Sequence, residues 1–279
     1  MGRVLVIGSD EGLATTLRES AALRGHTVDA CTSTLEALKE ARLGPLDLVV
    51  TDAGTQVQED MAMVAELDRL RPGVRTILLA PALTDSDVVT ALRAQVFACF
   101  TAPVNPLEIA DMAATALKTE DWRRGIEVVS GLPTWMTLRV ACGLISADRI
   151  TRFLTEWESA LPEDQRDLLM TAFREMLLNA MEHGAGFDPG QVIEVTAART
   201  DRAIIFHIRD PGNGFDRNAV SNAARANDPD SVMATMENRE AAGLRAGGLG
   251  MLIVRQVVDE MVYNERGNEV LLIKHLKKD

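Results

Sequence analysis

The sequence predicts an α/β protein built from two domains. Over residues 1–118, short apolar runs typical of strands alternate five times with segments of helical periodicity, which predicts a doubly wound parallel sheet of five strands. Residues 119–133 mix charge, glycine and proline, and this composition predicts a linker. Residues 134–279 again combine strands with helices. At 279 residues the chain is long enough for two hydrophobic cores of ordinary size.

The elements of the first domain follow the chain in strict alternation. A strand is predicted wherever a β-rich apolar run is short, and a helix wherever apolar residues recur every three or four positions. The predicted strands are Arg3–Ile7, Thr27–Cys31, Leu46–Thr51, Arg75–Ala80 and Phe97–Thr101, and the predicted helices are Asp10–Arg24, Leu35–Arg42, Val57–Leu70, Asp85–Arg93 and Pro106–Lys118.

Charge and composition exclude several classes of partner. The formal net charge is −12, which argues against a surface for nucleic acid or for an anionic membrane. No apolar run approaches the ~20 residues that span a bilayer, and the N-terminus lacks a secretory signal, so we expect a cytoplasmic protein. The three cysteines are widely spaced without a CxxC pair, which favours reduced thiols and no structural zinc.

One helix of the second domain carries two polar residues that suit a metal-bound polyphosphate. In 173–183 apolar residues recur at helical spacing, and Glu175 and Asn179 lie one turn apart on another face, about 6 Å between Cβ atoms. The amide of Asn179 can coordinate Mg²⁺, and the carboxylate of Glu175 can accept a proton. The alternative is an amphipathic helix with two solvated polar residues.

Two glycine-bearing segments follow this helix. Asp210, Gly212 and Gly214 come directly after an apolar strand, where a carboxylate can accept from an exocyclic amine and glycines allow a flat ring to approach. Gly248 and Gly250 open a helical run, and bare amides at a helix N-terminus form a phosphate site. A tight turn and a flexible hinge, respectively, are the alternatives.

The three segments in this order resemble the N box and the two glycine boxes of the GHKL ATP-binding superfamily. The resemblance covers residues 134–279 and implies a two-layer α/β sandwich of the Bergerat type that binds Mg²⁺ and ATP. Within the superfamily the sequence is most similar to anti-sigma-factor serine kinases. The resemblance and the local patterns predict helices at Ala147–Ser159, Glu163–His183 and Met251–Val258, and strands at Trp135–Ala141, Gln191–Arg199, Arg202–Arg209, Tyr263–Glu265 and Glu269–His275.

The polar segment Asp216–Ala246 between the glycine boxes predicts a functional lid, since structureless stretches of this length are uncommon inside a compact domain. Arg239 and Arg245 are candidates to reach the phosphates from it, and solvated loop arginines are the alternative. Leu271 stands where the resembling kinases often carry threonine, which puts one water-mediated contact with adenine in doubt.

The first domain resembles the receiver domain of bacterial response regulators. Asp52, at the end of the third strand, matches the phosphoacceptor, and Pro103 matches the proline after the fifth strand. Other functional positions depart from the family pattern. The acidic pair is replaced by Gly8 and Ser9, the hydroxyl residue by Ala80 and the lysine by Ala102. Acyl-phosphate formation needs a metal and a cation, so these losses favour a pseudo-receiver that serves for docking or dimerisation.

The expected function is that of a regulatory kinase. It would move the γ-phosphate of ATP to a serine or threonine of a partner protein, with Glu175 as the base. The resemblance implies an anti-sigma antagonist as partner, with a sigma factor as the rival, and a homodimer is possible through the receiver. An ATP-gated binding switch without phosphoryl transfer and an ATPase in which Glu175 activates water remain open, because the same residues suit all three.

Overall fold

The computed structural model describes residues 2–8, 11–158, 161–214 and 249–276. Two compact units emerge from the contacts within the chain. The first contains Met1–Glu127 and Arg152–Ser159, and the second contains Val128–Thr151 and Ala160–Asp279. Each unit has its own sheet and is described by itself.

The first unit is built on a five-stranded parallel sheet of order β2-β1-β3-β4-β5. The alternation predicted from the sequence is confirmed, with shifts of one or two residues at some ends. The strands are β1 (Arg3–Ile7), β2 (Thr27–Cys31), β3 (Leu48–Thr51), β4 (Arg75–Ala80) and β5 (Ala98–Thr101), and the helices are α1 (Glu11–Glu19), α2 (Thr34–Leu43), α3 (Val57–Leu70), α4 (Asp85–Arg93) and α5 (Pro106–Lys118).

Both faces of this sheet are buried, because successive residues of a strand point to opposite sides. In β1, Val4 and Val6 belong to one core cluster, which also holds residues of α1 and α5. Leu5 and Ile7 belong to a second cluster, with residues of α2 and α3. This double burial explains why the strands are continuous apolar runs in the sequence rather than alternating ones.

One expectation for the first unit needs correction. The helix predicted over Asp10–Arg24 ends at Glu19, and a short 3-10 helix, Ala21–Leu23, follows after Ser20 caps it through its side chain. Trp122 does not continue α5. Trp122 lies in a separate 3-10 turn, is buried, and packs edge-on against Phe97 with 6.1 Å between ring centroids. The free energy gained by burying this large ring determines the path of the chain here.

The second unit is built on a six-stranded sheet of order β10-β11-β9-β8-β7-β6. Antiparallel pairing joins β7 to β8, β8 to β9, β9 to β11 and β11 to β10. Phe173 and Phe206 bring a helix onto this sheet, with 4.9 Å between ring centroids. The strands are β6 (Ile126–Leu132), β7 (Trp135–Ala141), β8 (Val192–Arg199), β9 (Ala203–Arg209), β10 (Glu260–Tyr263) and β11 (Glu269–His275), and the helices are α6 (Leu144–Trp157), α7 (Glu163–Asn179) and α8 (Leu249–Val257).

Several boundaries of the second unit differ from expectation. The range 119–133, predicted as a linker, contains strand β6, which pairs beside β7 across the turn at Pro133 and Thr134. The charges and the glycine of this range favoured a linker over a strand, although the range also contains β-branched residues. The strand predicted at Tyr263–Glu265 instead spans Glu260–Tyr263, because a turn closed by side-chain hydrogen bonds begins at Asn264. The helix predicted at Ala147–Ser159 begins earlier, at Leu144.

A buried carboxylate lies in the first turn of α3. Asp60 is 1% exposed, its Oδ2 accepts a hydrogen bond from the Thr55 hydroxyl at 2.7 Å, and its Oδ1 has no partner among the described residues. Burial disfavours the charged form and raises the pKa of Asp60 to about 6, and the charges of Glu59 and Asp52 add to the effect. The Thr55 bond opposes it only in part.

This pKa predicts a pH-dependent stability. Because the folded-state pKa lies above the unfolded value of 3.8, the stability that protonated Asp60 contributes is fully present below that value and is lost as pH rises through about 6. Asp60→Asn removes the ionisation and should raise the free energy of unfolding at pH 8 by about 1–3 kcal/mol, with the gain shrinking toward zero near pH 4. Denaturant titrations at several pH values measure this. Asp111→Asn, at an exposed position on α5, is the control. A gain at Asp60 that does not vary with pH would contradict the assignment.

Candidate functional site

The helix predicted to carry the polar pair is α7. Phe173, Met176 and Leu177 are buried on the side that packs into the second unit. Glu175 and Asn179 are half-buried, one turn apart, and Asn179 is the last residue of the α-helix. The structure therefore keeps the predicted face, with a carboxylate and an amide next to each other at the C-terminal end of α7.

A π-helical turn, Ala180–Gly184, continues α7 and brings a glycine against a carboxylate. A Cβ atom placed on Gly184 would lie 2.1 Å from Cγ of Asp210, well inside van der Waals contact. Any side chain at this position would displace the Asp210 carboxylate. Sequence reasoning ended the predicted helix at His183 and missed Gly184, although a glycine directly after a helical run is a signal for close approach.

Asp210 follows the end of β9 and is fixed by the turn after it. Its Oδ1 accepts a hydrogen bond from the main-chain N–H of Gly212 at 2.8 Å. A Cβ on Gly212 would lie 2.6 Å from the carbonyl oxygen of Gly184, so neither glycine could carry a side chain without displacing the group that it contacts. Burial raises the pKa of Asp210, while the Gly212 N–H and the Arg266 guanidinium offset part of that rise. A half-buried carboxylate between two glycines can accept a hydrogen bond from the amine of a flat ring.

The remaining predicted binding residues divide into described and undescribed ones. Gly214 has φ +76°, and a Cβ on it would lie 1.8 Å from the carbonyl oxygen of Arg266, so only glycine fits this contact. Gly250 lies in the first turn of α8, which begins at Leu249. Its main chain is therefore at a helix N-terminus, the place where amides can meet an anion. Arg239, Arg245, Gly248 and the predicted lid lie outside the described residues.

The receiver-like unit has a different arrangement around Asp52. This residue follows β3, is 5% exposed, and its Oδ1 accepts from the Gly54 N–H at 2.7 Å. A Cβ on Gly8 would lie 1.5 Å from Oδ2 of Asp52. The Asp52 carboxylate thus occupies the space that a side chain at position 8 would need. Ala80 is the last residue of β4 and Ala102 directly follows β5, and neither side chain offers a hydroxyl or a cation.

Around this unit, the described residues contain no cluster of three or more side chains able to hold a metal ion. Ser9 and Asp10 lie outside the described residues. The main-chain N–H of Asp52 donates to the carbonyl of Ile7 at 2.9 Å, which ties the end of β3 to the end of β1. Asp52 therefore has a well-defined position. A working receiver supplies metal ligands directly after β1, and Gly8 offers none.

Comparison with protein families decides the nature of the second unit. Residues 144–274 match the family described as a histidine kinase-like ATPase domain. The matched range contains α7, the π-helical turn, Asp210 and α8. The chain joins a receiver-like domain to a GHKL-type ATPase domain. The second unit is thus an ATP-binding domain, as the three sequence segments predicted.

Two curated relatives match part of the chain. The transcriptional regulatory proteins GlrR of Escherichia coli strain K12 and QseF of Escherichia coli O157:H7 are each 27% identical to it over 135 residues. These matches cover 46% of the chain and 30% of each relative. The chain therefore spans less than a third of the length of the relatives it matches.

Solved structures with similarity to the chain include two response regulators. A CheY-like receiver domain protein of Methanospirillum hungatei JF-1 is 21% identical, with a TM-score of 0.37, and the match covers 42% of this chain and 94% of that one. A response regulator of Burkholderia pseudomallei is 25% identical, with a TM-score of 0.36, covering 43% and 68%. The receiver-like fold of the first domain follows from the strand order of its own sheet.

Within the described ranges, no helix of either domain combines the length and the apolar character that crossing a bilayer requires.

The position of Asp210 in the ATPase domain yields a binding prediction. In Asp210→Asn, the side-chain oxygen can still accept from Gly212, but a nitrogen donor replaces the second carboxylate oxygen. We expect adenine nucleotides to bind more weakly by about 1.5–3 kcal/mol, the range for hydrogen bonds to charged groups. Calorimetry with ATP measures this. Asp188→Asn is a matched control, because Oδ1 of Asp188 likewise accepts from a main-chain N–H two residues on, at 2.9 Å. Unchanged affinity in folded Asp210→Asn would contradict the role.

The geometry at Gly8 yields a prediction for the receiver-like domain. Asp52 should not form a stable phosphoryl adduct with acetyl phosphate and Mg²⁺, since at least two charge-assisted contacts of ~1.5–3 kcal/mol each are missing. Intact-mass measurement should show no phosphoryl increment in the wild type. Asp52→Asn is the control. An increment that appears in the wild type and disappears in this variant would show that the domain is a working phospho-switch.

Proposed function

We propose that the protein is a cytoplasmic kinase that transfers the γ-phosphate of ATP to a serine or threonine hydroxyl of a regulatory partner protein. One observation carries the proposal. Glu175 lies one turn before Asn179, at the end of the helix whose π-helical continuation contacts Asp210. The proposed proton acceptor, metal ligand and adenine-binding carboxylate thus follow one another from α7 to the end of β9. The γ-phosphate, the metal ion and the adenine ring of a bound nucleotide come in the same order.

The base is recognised by Asp210 in this proposal. Its second oxygen, which has no hydrogen-bond partner among the described residues, accepts from the exocyclic amine of adenine. Gly184 and Gly212 allow the close approach that holds this carboxylate in place, because a Cβ at these positions would lie 2.1 Å from Cγ of Asp210 and 2.6 Å from the carbonyl oxygen of Gly184. Leu271 of β11 lies across from His207 of β9 and offers no hydroxyl at the position where the resembling kinases often have threonine. The carboxylate therefore carries most of the selectivity for adenine.

The metal and the phosphates are held by other residues. The half-buried amide of Asn179 would hold Mg²⁺, for which an amide oxygen is a suitable ligand. Mg²⁺ there would supply positive charge that offsets the negative charge developing during transfer. The main chain at Gly250, in the first turn of α8, faces the phosphates with bare amides. Gly248 and Arg245 complete this set in the proposal.

Glu175 is the general base. Its half-buried carboxylate accepts the proton of the serine or threonine hydroxyl while the oxygen of that hydroxyl attacks the γ-phosphorus and the bond to the β-phosphate oxygen breaks. The products are a phosphorylated partner and ADP. The family of the ATPase domain supports the nucleotide, and the spacing from Asn179 supports the choice of Glu175 over other carboxylates.

The partner is proposed to be an anti-sigma antagonist, with a sigma factor as the second choice. The similarity to anti-sigma-factor serine kinases favours these partners, and the net charge of −12 disfavours a nucleic acid or an anionic membrane surface. The receiver-like domain then acts as a docking or dimerising module, since Gly8 supplies no metal ligand beside Asp52.

The role of Glu175 is tested by separating binding from chemistry. Glu175→Ala should bind ATP as the wild type does and lose about 10²–10⁴-fold in turnover, the usual contribution of a general base. Glu163→Ala, at an exposed position in the first turn of the same helix, is the control and should keep full turnover. Full activity in Glu175→Ala would show that another group is the base.

The reaction itself is tested with ATP that carries a labelled γ-phosphate and an extract of the cells that make the protein. A labelled protein band that is stable to acid and absent with Glu175→Ala supports the kinase. Release of free phosphate in the absence of any labelled protein makes the protein an ATPase. Nucleotide binding with neither product makes it an ATP-gated binding switch.

A further inference from the structure

The turn between β10 and β11 lies directly against the segment that carries Asp210. We propose that Asn268, oriented by Asn264, is a positioning residue for the adenine-binding carboxylate, so that this turn sets the selectivity for the base. The inference rests on the proposed function, because it assumes that Asp210 receives the amine of adenine. The sequence motifs did not single out any position in 264–268 for nucleotide binding.

Asn268 holds the main chain of Asp210 on two sides. Its carbonyl oxygen accepts from the N–H of Asp210 at 3.0 Å, and its side-chain Nδ2 donates to the carbonyl oxygen of Asp210 at 3.0 Å. Asn268 is 5% exposed, so these bonds are protected from water. A buried polar side chain costs free energy unless it is paired, and Asn268 meets that cost by binding the backbone of the functional carboxylate.

Asn264 fixes which way the Asn268 amide points. Its Nδ2 donates to Oδ1 of Asn268 at 2.9 Å, which directs Nδ2 of Asn268 toward Asp210. Its Oδ1 accepts from the main-chain N–H groups of Gly267 at 2.7 Å and Asn268 at 3.1 Å, with a longer bond to Glu269 at 3.3 Å. One asparagine thus closes the turn and orients the next one.

A second set of contacts clamps the glycine segment at its far end. Arg266 donates from Nη2 to Oδ1 of Asn213 at 3.1 Å, and its carbonyl oxygen lies where a Cβ on Gly214 would be, at 1.8 Å. The turn therefore touches the segment 210–214 at both ends. Because the Asp210 carboxylate also packs against Gly184, a shift of the Asp210 main chain would move the carboxylate away from the adenine amine that it is proposed to bind.

The test uses Asn268→Asp, which keeps size and the main-chain bond but replaces the Nδ2 donor with an oxygen facing the Asp210 carbonyl. Affinities for ATP and for inosine triphosphate, which has an oxygen in place of the amine, are measured by calorimetry. We expect the wild type to prefer ATP by about 10–100-fold, the value of a charge-assisted hydrogen bond. The variant should lose most of this preference.

Three further measurements make the result decisive. Asn264→Asp keeps the acceptor for the three N–H groups and loses only the donor to Asn268, so it should lower the ratio of affinities by a smaller factor. This variant decides the matter if Asn268→Asp does not fold. Asn105→Asp, the same chemical change at the N-cap of α5, should leave both affinities unchanged. Melting temperatures report any general loss of stability.

Each outcome has a separate meaning. A fall in the ATP-to-inosine-triphosphate ratio for the asparagine variants supports positioning. Equal losses of both nucleotides, with the ratio intact, overturn it and leave a structural role for the turn. If the wild type itself shows no preference for ATP, the assignment of Asp210 to the adenine amine fails, and the inference fails with it.

Discussion

The candidate nucleotide site depends on a contact that only glycine allows. Gly184 lies so close to Asp210 that a Cβ would be 2.1 Å from the carboxyl carbon, and Gly212 approaches the carbonyl of Gly184 almost as closely. These two approaches join the end of the N-box helix to the end of β9 without any side chain between them. Glu175, Asn179 and Asp210 are then placed by elements that meet at this point, α7 on one side and the end of β9 on the other.

Much of the fold could be predicted from the sequence because its signals are local. In the receiver-like domain, apolar runs bounded by polar turns located all five strands, and four of five helices agree within one residue of their ends. Strand β6 was not predicted, because the charged residues and the glycine around Ile126–Leu132 indicated a linker. The pairing of this strand with β7 could not be taken into account. A strand at the edge of a sheet takes much of its stability from its neighbour, which a local pattern does not contain.

The roles of Glu175, Asn179 and Asp210 stay predictions, and the residues that support Asp210 could not be predicted from the sequence. Glu175, Asn179 and Asp210 belong to motifs with chemical meaning, so the sequence pointed to them. Asn264 and Asn268 lie more than fifty positions after Asp210, in a turn that resembles any other polar turn. Their importance arises from the antiparallel pairing of β9 with β11, which brings Asn268 opposite Asp210. Likewise, the sequence of the receiver-like domain shows that the acidic pair is absent, but it does not show that Asp52 occupies the space beside Gly8.

The π-helical turn after Asn179 has a consequence for how the ATPase domain tolerates change. Such a turn accommodates one residue more than an α-helical turn over the same rise, so it is equivalent to a one-residue insertion in the helix. If all five residues of Ala180–Gly184 wound as a regular α-helix instead, the extra residue would rotate the end of the segment by ~100° about the axis and move it by ~1.5 Å. Gly184 would then leave Asp210. A substitution that favours regular α-helical winding here should therefore disturb the site even where the new side chain itself fits.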